Sequence, residues 1–286
     1  GRTPVAGLDA AIEAMRRWLG FMIMPDGDVP LFNDCTLVGS RRLALLRPTT
    51  APNARLKVLP ASGYLVLRPE ARIYMVIDAG EPCPTDLPAH AHADCLSFQL
   101  TVDGRRVVVD SGTSTYEPGG QRAYERSTKA HNTITIDGID QTEVWGTFRA
   151  ARMARARIEH AMDDGDALTV VASHDGYRRL PGAPAHRRRW RVGAGYVGIV
   201  DEVTGSGRHH IQSRLHFVAQ DGLHVHWSGP PGLLVSQQPS AHAVGFADLQ
   251  DGYVVTAAWV GDLPAVFSAE LHISDPLPER PMMGDV

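Results

Sequence analysis

Along most of this chain apolar and polar residues alternate in short runs, and a period of two is the mark of half-buried strands. Such runs cover Gly63 to Leu67, Ile73 to Ile77, Leu96 to Val102, Val107 to Asp110, His131 to Ile136 and Ala150 to Ile158. They continue at Ala167 to Ser173, Arg187 to Val192, Val197 to Val203 and His210 to Val218. The last are Leu223 to Trp227, Leu233 to Ser236, Tyr253 to Trp259 and Val266 to Ile273. Gly, Pro and Asp punctuate them, and Asp-Gly pairs at Asp103, Asp137, Asp175, Asp221 and Asp251 are predicted to turn the chain. Many short strands with regular turns, and no helix-length segment between them, predict an all-β sandwich or barrel rather than a parallel α/β sheet. The tail from Pro276 onward is predicted to fray.

The beginning follows a different period. Leu8, Ile12, Met15, Leu19 and Met22 recur at helical spacing with Trp18 beside them, which predicts an amphipathic helix over about Leu8 to Met22. A helix of this kind must bury its stripe. Two coverings are open: the β domain of this chain, or a helical domain of which this is the last helix. Contact of Trp18 with the sandwich would favour the first. Residues 25–60 are rich in Pro, Gly and Asp and are predicted to be loop-like. The chain thus divides into a helix plus linker, 1–60, and a β domain, 61–286.

Composition narrows the function classes. A hydrophobic content of 43% and a charged content of 21% are those of an ordinary globular protein. A net charge of -4 argues against a nucleic-acid binder, which carries a basic domain. No stretch reaches the roughly 20 apolar residues of a membrane-spanning helix. Cys35, Cys83 and Cys95 are too few and too far apart for a disulfide framework or a zinc ribbon.

The chemistry gathers between His90 and Asp140. In an extended chain, His90, His92, Asp94, Leu96, Phe98 and Leu100 would share one face, polar at its start and apolar further on. His92, Asp110 and His131 offer two imidazoles and a carboxylate from three strand ends, a donor set that suits zinc with water in the fourth position. By simple parity His131 lies with Thr133 and Thr135 on the polar side of its strand, unless a bulge lies near Asn132. A second grouping, His92, Asp94 and His131, has the composition of the two-histidine, one-carboxylate triad of non-haem iron oxygenases. Tyr116, Arg122, Tyr124 and Arg126 fall in a glycine-bearing loop between Asp110 and His131, where arginine could grip a sugar carboxylate. Arg187, Arg189 and Arg191 share one face of a strand, either solvated or turned to an anionic polymer.

The motifs H-A-H-A-D-C-L-S-F-Q-L, V-V-V-D-S-G-T-S-T-Y and A-H-N-T-I-T-I-D-G-I-D-Q resemble those of the heparinase II/III-like polysaccharide lyases. The preceding M-R-R-W-L-G-F-M-I-M-P-D-G-D-V-P-L-F-N-D resembles the link between that family's two domains. The resemblance implies a large antiparallel β-sandwich, preceded by one or two helices left from an α/α toroid in the same protein. It implies β-elimination on an acidic, uronate-containing polysaccharide, and export to the periplasm or beyond. His90 matches the family histidine that takes part in proton transfer. His92, Asp110 and His131 match positions that hold a structural zinc in some members. The family's tyrosine and its carboxylate-neutralising residue lie in the toroid, so the resemblance implies that this chain alone is inactive. Other readings of the same residues are a non-catalytic, metal-stabilised carbohydrate-binding module and the iron oxygenase.

Overall fold

The computed structural model describes residues 7–46, 53–218 and 223–273; Asp221 and the tail from Pro276 lie outside them. In chain order the strands are β1 (Leu56–Leu59), β2 (Tyr64–Leu67), β3 (Ile73–Asp78), β4 (Phe98–Val102), β5 (Arg105–Val108) and β6 (Ile134–Ile136). Next come β7 (Glu143–Trp145), β8 (Arg149–Ala151), β9 (Ala156–Asp163), β10 (Leu168–His174), β11 (Ala185–Gly193) and β12 (Tyr196–Thr204). The last are β13 (Arg208–Val218), β14 (Leu223–Ser228), β15 (Leu234–Gly245), β16 (Asp248–Asp262) and β17 (Ala265–Ile273). A nine-stranded sheet runs β1-β2-β3-β4-β5-β13-β16-β15, with β6 also paired to β13, and a six-stranded sheet runs β14-β17-β12-β11-β10-β9. All pairings within these sheets are antiparallel.

The sheets face each other across one core. Leu65, Met75, Phe98, Leu100 and Leu215 of the larger sheet meet Leu168, Val170, Trp190, Ile199 and Leu271 of the smaller. These residues alternate along their strands, so the period of two is what makes the sandwich. Strand β3 is buried on both faces, because Met22, Met24 and Phe32 cover Val66, Tyr74 and Val76 from outside. Truncating a side chain such as Phe98 to alanine would cost about 3–5 kcal/mol.

The first helix, α1 (Leu8–Met22), has the predicted bounds. Its last turn docks on the sandwich: Met22 is buried, and Trp18 Nε1 donates to Ser62 Oγ at 3.0 Å. Trp18 therefore does touch the β domain. Yet Leu8, Ile12 and Met15 are 49%, 37% and 70% exposed, so most of the apolar stripe is uncovered.

Several expectations need correction. Residues 25–60 are not loop throughout: they hold α2 (Ser40–Leu46) and β1. Asp28 accepts the N–H groups of Val38 and Gly39 and pins the entry to α2. A third helix, α3 (Gly120–Arg126), does intervene between strands. The run from Ala150 to Ile158 is split between β8 and β9. Asp103-Gly104 and Asp137-Gly138 are turns with positive φ at both residues, as expected. Asp251-Gly252 instead lies inside β16, where a Cβ on Gly252 would fall 2.2 Å from the Phe217 carbonyl oxygen. That glycine serves close strand approach, not a turn. Arg187 and Arg191 form a solvated, ion-paired face, Arg187 with Glu159 and Glu202 and Arg191 with Asp164.

Between the sheets runs a buried polar chain. His174 Nε2 lies 3.1 Å from His186 Nδ1, and His186 Nε2 lies 2.7 Å from Asp201, which also takes the Arg188 guanidinium. Burial pushes both imidazoles below the usual histidine range. Between the unfolded histidine value of about 6.5 and the lower folded values, the unfolded chain binds more protons, so stability falls as pH drops through that window. The melting temperature is therefore expected to fall between neutral pH and about pH 5, and to fall less in His174→Gln. An identical pH dependence in that variant would contradict the assignment.

Candidate functional site

The site is built around a residue that spacing did not single out. Asp34 sits within a tight turn in which Cys35 N–H donates to the Phe32 carbonyl and Asn33 adopts φ 54°. The turn directs the Asp34 carboxylate inward, where its side chain is 4% exposed. His90 Nδ1 lies 2.8 Å from Oδ2, and His92 Nε2 lies 2.9 Å from Oδ1. Arg122 bonds both oxygens, with Nη2 at 2.8 Å from Oδ2. Thr113 Oγ1 donates to Oδ1 at 3.2 Å. Burial alone would raise the Asp34 pKa; the hydrogen bonds from His92 and Arg122 outweigh it and hold the carboxyl well below the usual range.

The two neighbouring histidines meet opposite environments. His90 ends a short 3₁₀ turn, Pro88–His90, and its side chain is 59% exposed. Since a carboxylate accepts, His90 carries its proton on Nδ1, and Nε2 is left for solvent or substrate. Its ring lies 6.2 Å from those of Tyr116 and Phe148, and Phe246 is 4.9 Å from Tyr116. These rings form an aromatic rim, and the Arg122 guanidinium stacks 4.9 Å from Tyr116 beneath it. His92 is fully buried. The expected shared face of His90 to Leu100 is therefore not formed: the chain is irregular up to β4, and Leu96 has φ 64°.

His131 is held from three sides. It precedes β6, and Thr133 N–H donates back to its carbonyl, a turn at Asn132 that breaks the simple parity of the strand. Buried Asn132 donates to the carbonyls of Phe98 and Val109 at 2.8 and 2.7 Å and accepts from His216 N–H. Arg188 crosses from the smaller sheet to the carbonyls of Leu96 and Asn132. His131 Nδ1 lies 2.8 Å from Asp110 Oδ2, while Asp110 Oδ1 accepts from Gly112 N–H at 3.1 Å. Gly112 has φ 67°, and a Cβ there would meet the Ala243 carbonyl oxygen at 2.1 Å, so only glycine fits beside this carboxylate.

The rings of His92 and His131 are 5.4 Å apart. His92 Nδ1, His131 Nε2 and both oxygens of Asp94 are buried without a hydrogen-bond partner. Burial lowers the His92 pKa against the opposing effect of Asp34, and it raises that of Asp94 despite the two histidines. At His131 the pull of Asp110 overcomes burial and raises the pKa. Burial, and then the neighbouring Asp94 and Asp110, likewise push the Asp78 carboxyl well above the usual range. Unpaired nitrogens beside crowded carboxylates form a donor set that fits a divalent cation. Among the described residues, however, no three His, Cys, Asp or Glu side chains already stand in ligating arrangement.

The structure thus brings His90, His92, Asp110, His131 and Tyr116 together. Arg122 and Arg126 differ from expectation. They lie on α3, not on an open loop, and their side chains are buried. Arg122 is committed to Asp34 and the Thr147 carbonyl, and Arg126 to the carbonyls of Ala91 and Gly146, so neither guanidinium is free to grip a sugar.

The heparinase II/III-like, C-terminal family model matches residues 51–270. The chain belongs to the heparinase II/III-like family. A heparin-sulfate lyase of Bacteroides stercoris is 29% identical over 144 residues, 46% of this chain and 18% of that protein. A solved heparinase III aligns over 93% of this chain and 46% of its own, with TM-score 0.77 and 20% identity. A heparan sulfate lyase of Pedobacter heparinus aligns over 97% and 50%, with TM-score 0.69 and 17% identity. This heparinase II/III-like domain therefore spans about half the length of those solved relatives, and at these identities the structural likeness speaks to fold alone.

Removing Asp34 from the heparinase II/III-like site would leave Arg122 buried and unpaired. Asp34→Ala is expected to lower stability by about 3–5 kcal/mol in denaturant unfolding. A loss under about 1 kcal/mol, the range of an exposed pair, would show that the carboxylate does not hold the site together.

Proposed function

We propose that this domain supplies proton transfer at the sandwich side of a polysaccharide lyase cleft acting on uronate residues. The observation that supports it is His90: an exposed imidazole fixed through Nδ1 by a buried carboxylate, beside an aromatic rim that suits a sugar ring. In β-elimination a base removes the C5 proton. The C–H electrons become the C4=C5 double bond, the C4–O4 bond breaks, and O4 takes up a proton. His90 Nε2 can accept or deliver one of these protons, with Asp34 stabilising the imidazolium between steps. Tyr116 and Phe148 would carry the sugar face. The uncovered stripe of α1 fits a helical domain of the same protein that neutralises the uronate carboxylate and completes the cleft.

The test uses the intact protein that carries this domain. Turnover of a uronate polymer should create unsaturated ends, read by ultraviolet absorbance, and His90→Ala should lower kcat by about 10²–10⁴-fold. Sugar binding without any unsaturated product would instead identify a non-catalytic binding module.

A structural zinc belongs to the same reading. His92 and His131 would hold it, with a carboxylate from Asp110 or Asp94. Asp110 matches the family position, whereas Asp94 is the carboxylate without a partner. When bound, the ion would neutralise the crowded carboxylates and tie the loops of His92 and His131 to one point. Elemental analysis should find about one zinc per chain, lost in His131→Ala. Loss in Asp110→Ala but not Asp94→Ala would select the first carboxylate, and the reverse the second. Metal-free wild-type protein would refute the site, and iron would redirect the search towards oxygen-dependent chemistry.

A further inference from the structure

On the other side of α3 lies a second groove, of about 460 Å³, on the outer face of the larger sheet. Helix geometry separates the two. Arg122 and Arg126, four apart, face Asp34 and the buried loops, whereas Gln121 and Tyr124, three apart, face the groove. The floor is the outward row of β13, where Gln212, Arg214 and His216 alternate with core residues, and β15 adds Ser236, Gln238 and Ser240.

Its charge is one-sided. Among the described residues no Asp or Glu lines it, while Lys129 and Arg214 do. Arg214 is half-buried, and its hydrogen bonds go to neutral oxygens: Nη1 donates to Thr135 Oγ1 at 2.8 Å and Nη2 to Gln212 Oε1 at 2.7 Å. Among the described residues it makes no ion pair. A guanidinium stays charged even when burial disfavours it, and a part-buried cation without a counter-charge is costly. Of the carboxylates behind the wall, Glu125 bonds Ser114 and Gln121 through Oε1 and Asp110 bonds His131 and Gly112; neither pairs with Arg214. Lys129 Nζ stands 5.7 Å from the Tyr124 ring. Cations for an acid group, amides and hydroxyls for sugar hydroxyls, and an aromatic ring beside them are the groups that recognise an acidic saccharide.

We propose that this groove is a second binding site for an anionic saccharide chain, with Arg214 as the anchor for its carboxylate or sulfate. The proposal stands on the groove itself and does not rest on the lyase reading of His90.

Calorimetric titration tests it without turnover. The chain would be titrated with a sulfated uronate oligosaccharide, its desulfated counterpart, a neutral oligosaccharide of equal length and inorganic sulfate. Arg214→Gln and the exposed substitution Gln238→Glu, each with a wild-type melting curve, should weaken binding of the acidic oligosaccharides roughly tenfold or more. His90→Ala, across α3, should leave a binding event within about twofold of wild type. Preference for the sulfated form would make sulfate the anchored group, and equal binding of the desulfated form would make it the carboxylate. Unchanged affinity in both groove variants, equal affinity for the neutral oligosaccharide, no binding by the wild-type chain, or sulfate alone binding as well as the oligosaccharides would overturn the proposal. Gln238→Glu has no buried side chain to disturb, so the test survives if Arg214→Gln fails to fold.

Discussion

A carboxylate taken out of water has to be compensated, and at Asp34 the compensation is the architecture of the site. Arg122 pairs with both oxygens from α3, and His90 and His92 reach them from the segment before β4. Three stretches that are distant in sequence are thereby fixed to one another. The same carboxylate gives two neighbouring histidines different fates. It fixes one, exposed, through Nδ1 and leaves its Nε2 facing solvent, and it leaves the other, buried, with an unpartnered Nδ1 turned away from it. Coupling His90 and Arg122 through one anion also means that α3 cannot shift without releasing the imidazole.

A second set of polar contacts holds the other half of the site. Asn132 joins the start of β4, the residue after β5 and β13 through one amide, and Arg188, anchored by Asp201, reaches across from the opposite sheet. Such groups are costly to bury unless all their bonds are made. Asn132 makes all of these bonds, whereas His92, Asp94 and His131 leave two imidazole nitrogens and two carboxylate oxygens buried without a partner. Unpartnered buried atoms occur elsewhere too, at Gln99, Gln141 and Trp190 among others, but what makes this deficit informative is that it falls on metal-ligating groups. It lies where the family resemblance expects an ion, and where carboxylates crowd.

Much of the fold was legible because burial and alternation coincide. β2, β3, β10, β12 and β17 have one face in the common core, and Asp103-Gly104 has the chemistry of a tight turn. The departures have physical causes. Short α3 opens on two glycines and carries no apolar stripe, so no periodicity marks it. Gly252 looks like a turn residue but is small because β13 passes close by. In the site, His90, His92, Asp110 and His131 were legible from motifs, yet parity misjudged how they are held, since His90 sits on a 3₁₀ turn and a turn at Asn132 resets the strand. Asp34 was not legible. A single aspartate in a linker has no spacing relation to its partners, and only the folded chain brings them 2.8 to 2.9 Å apart. Nor could Arg122 be told from a solvated arginine until its partner was known.

The most direct measurement of this arrangement is nitrogen NMR of the His90 ring in the neutral state. Free imidazole side chains favour the proton on Nε2, whereas the carboxylate of Asp34 should hold it on Nδ1 and leave Nε2 open to solvent. A neutral His90 protonated on Nδ1, reverting to the Nε2 form in Asp34→Ala, is the result expected. A wild-type His90 protonated on Nε2 would contradict the view that Asp34 orients it, and with it the assignment of His90 to proton transfer at this site.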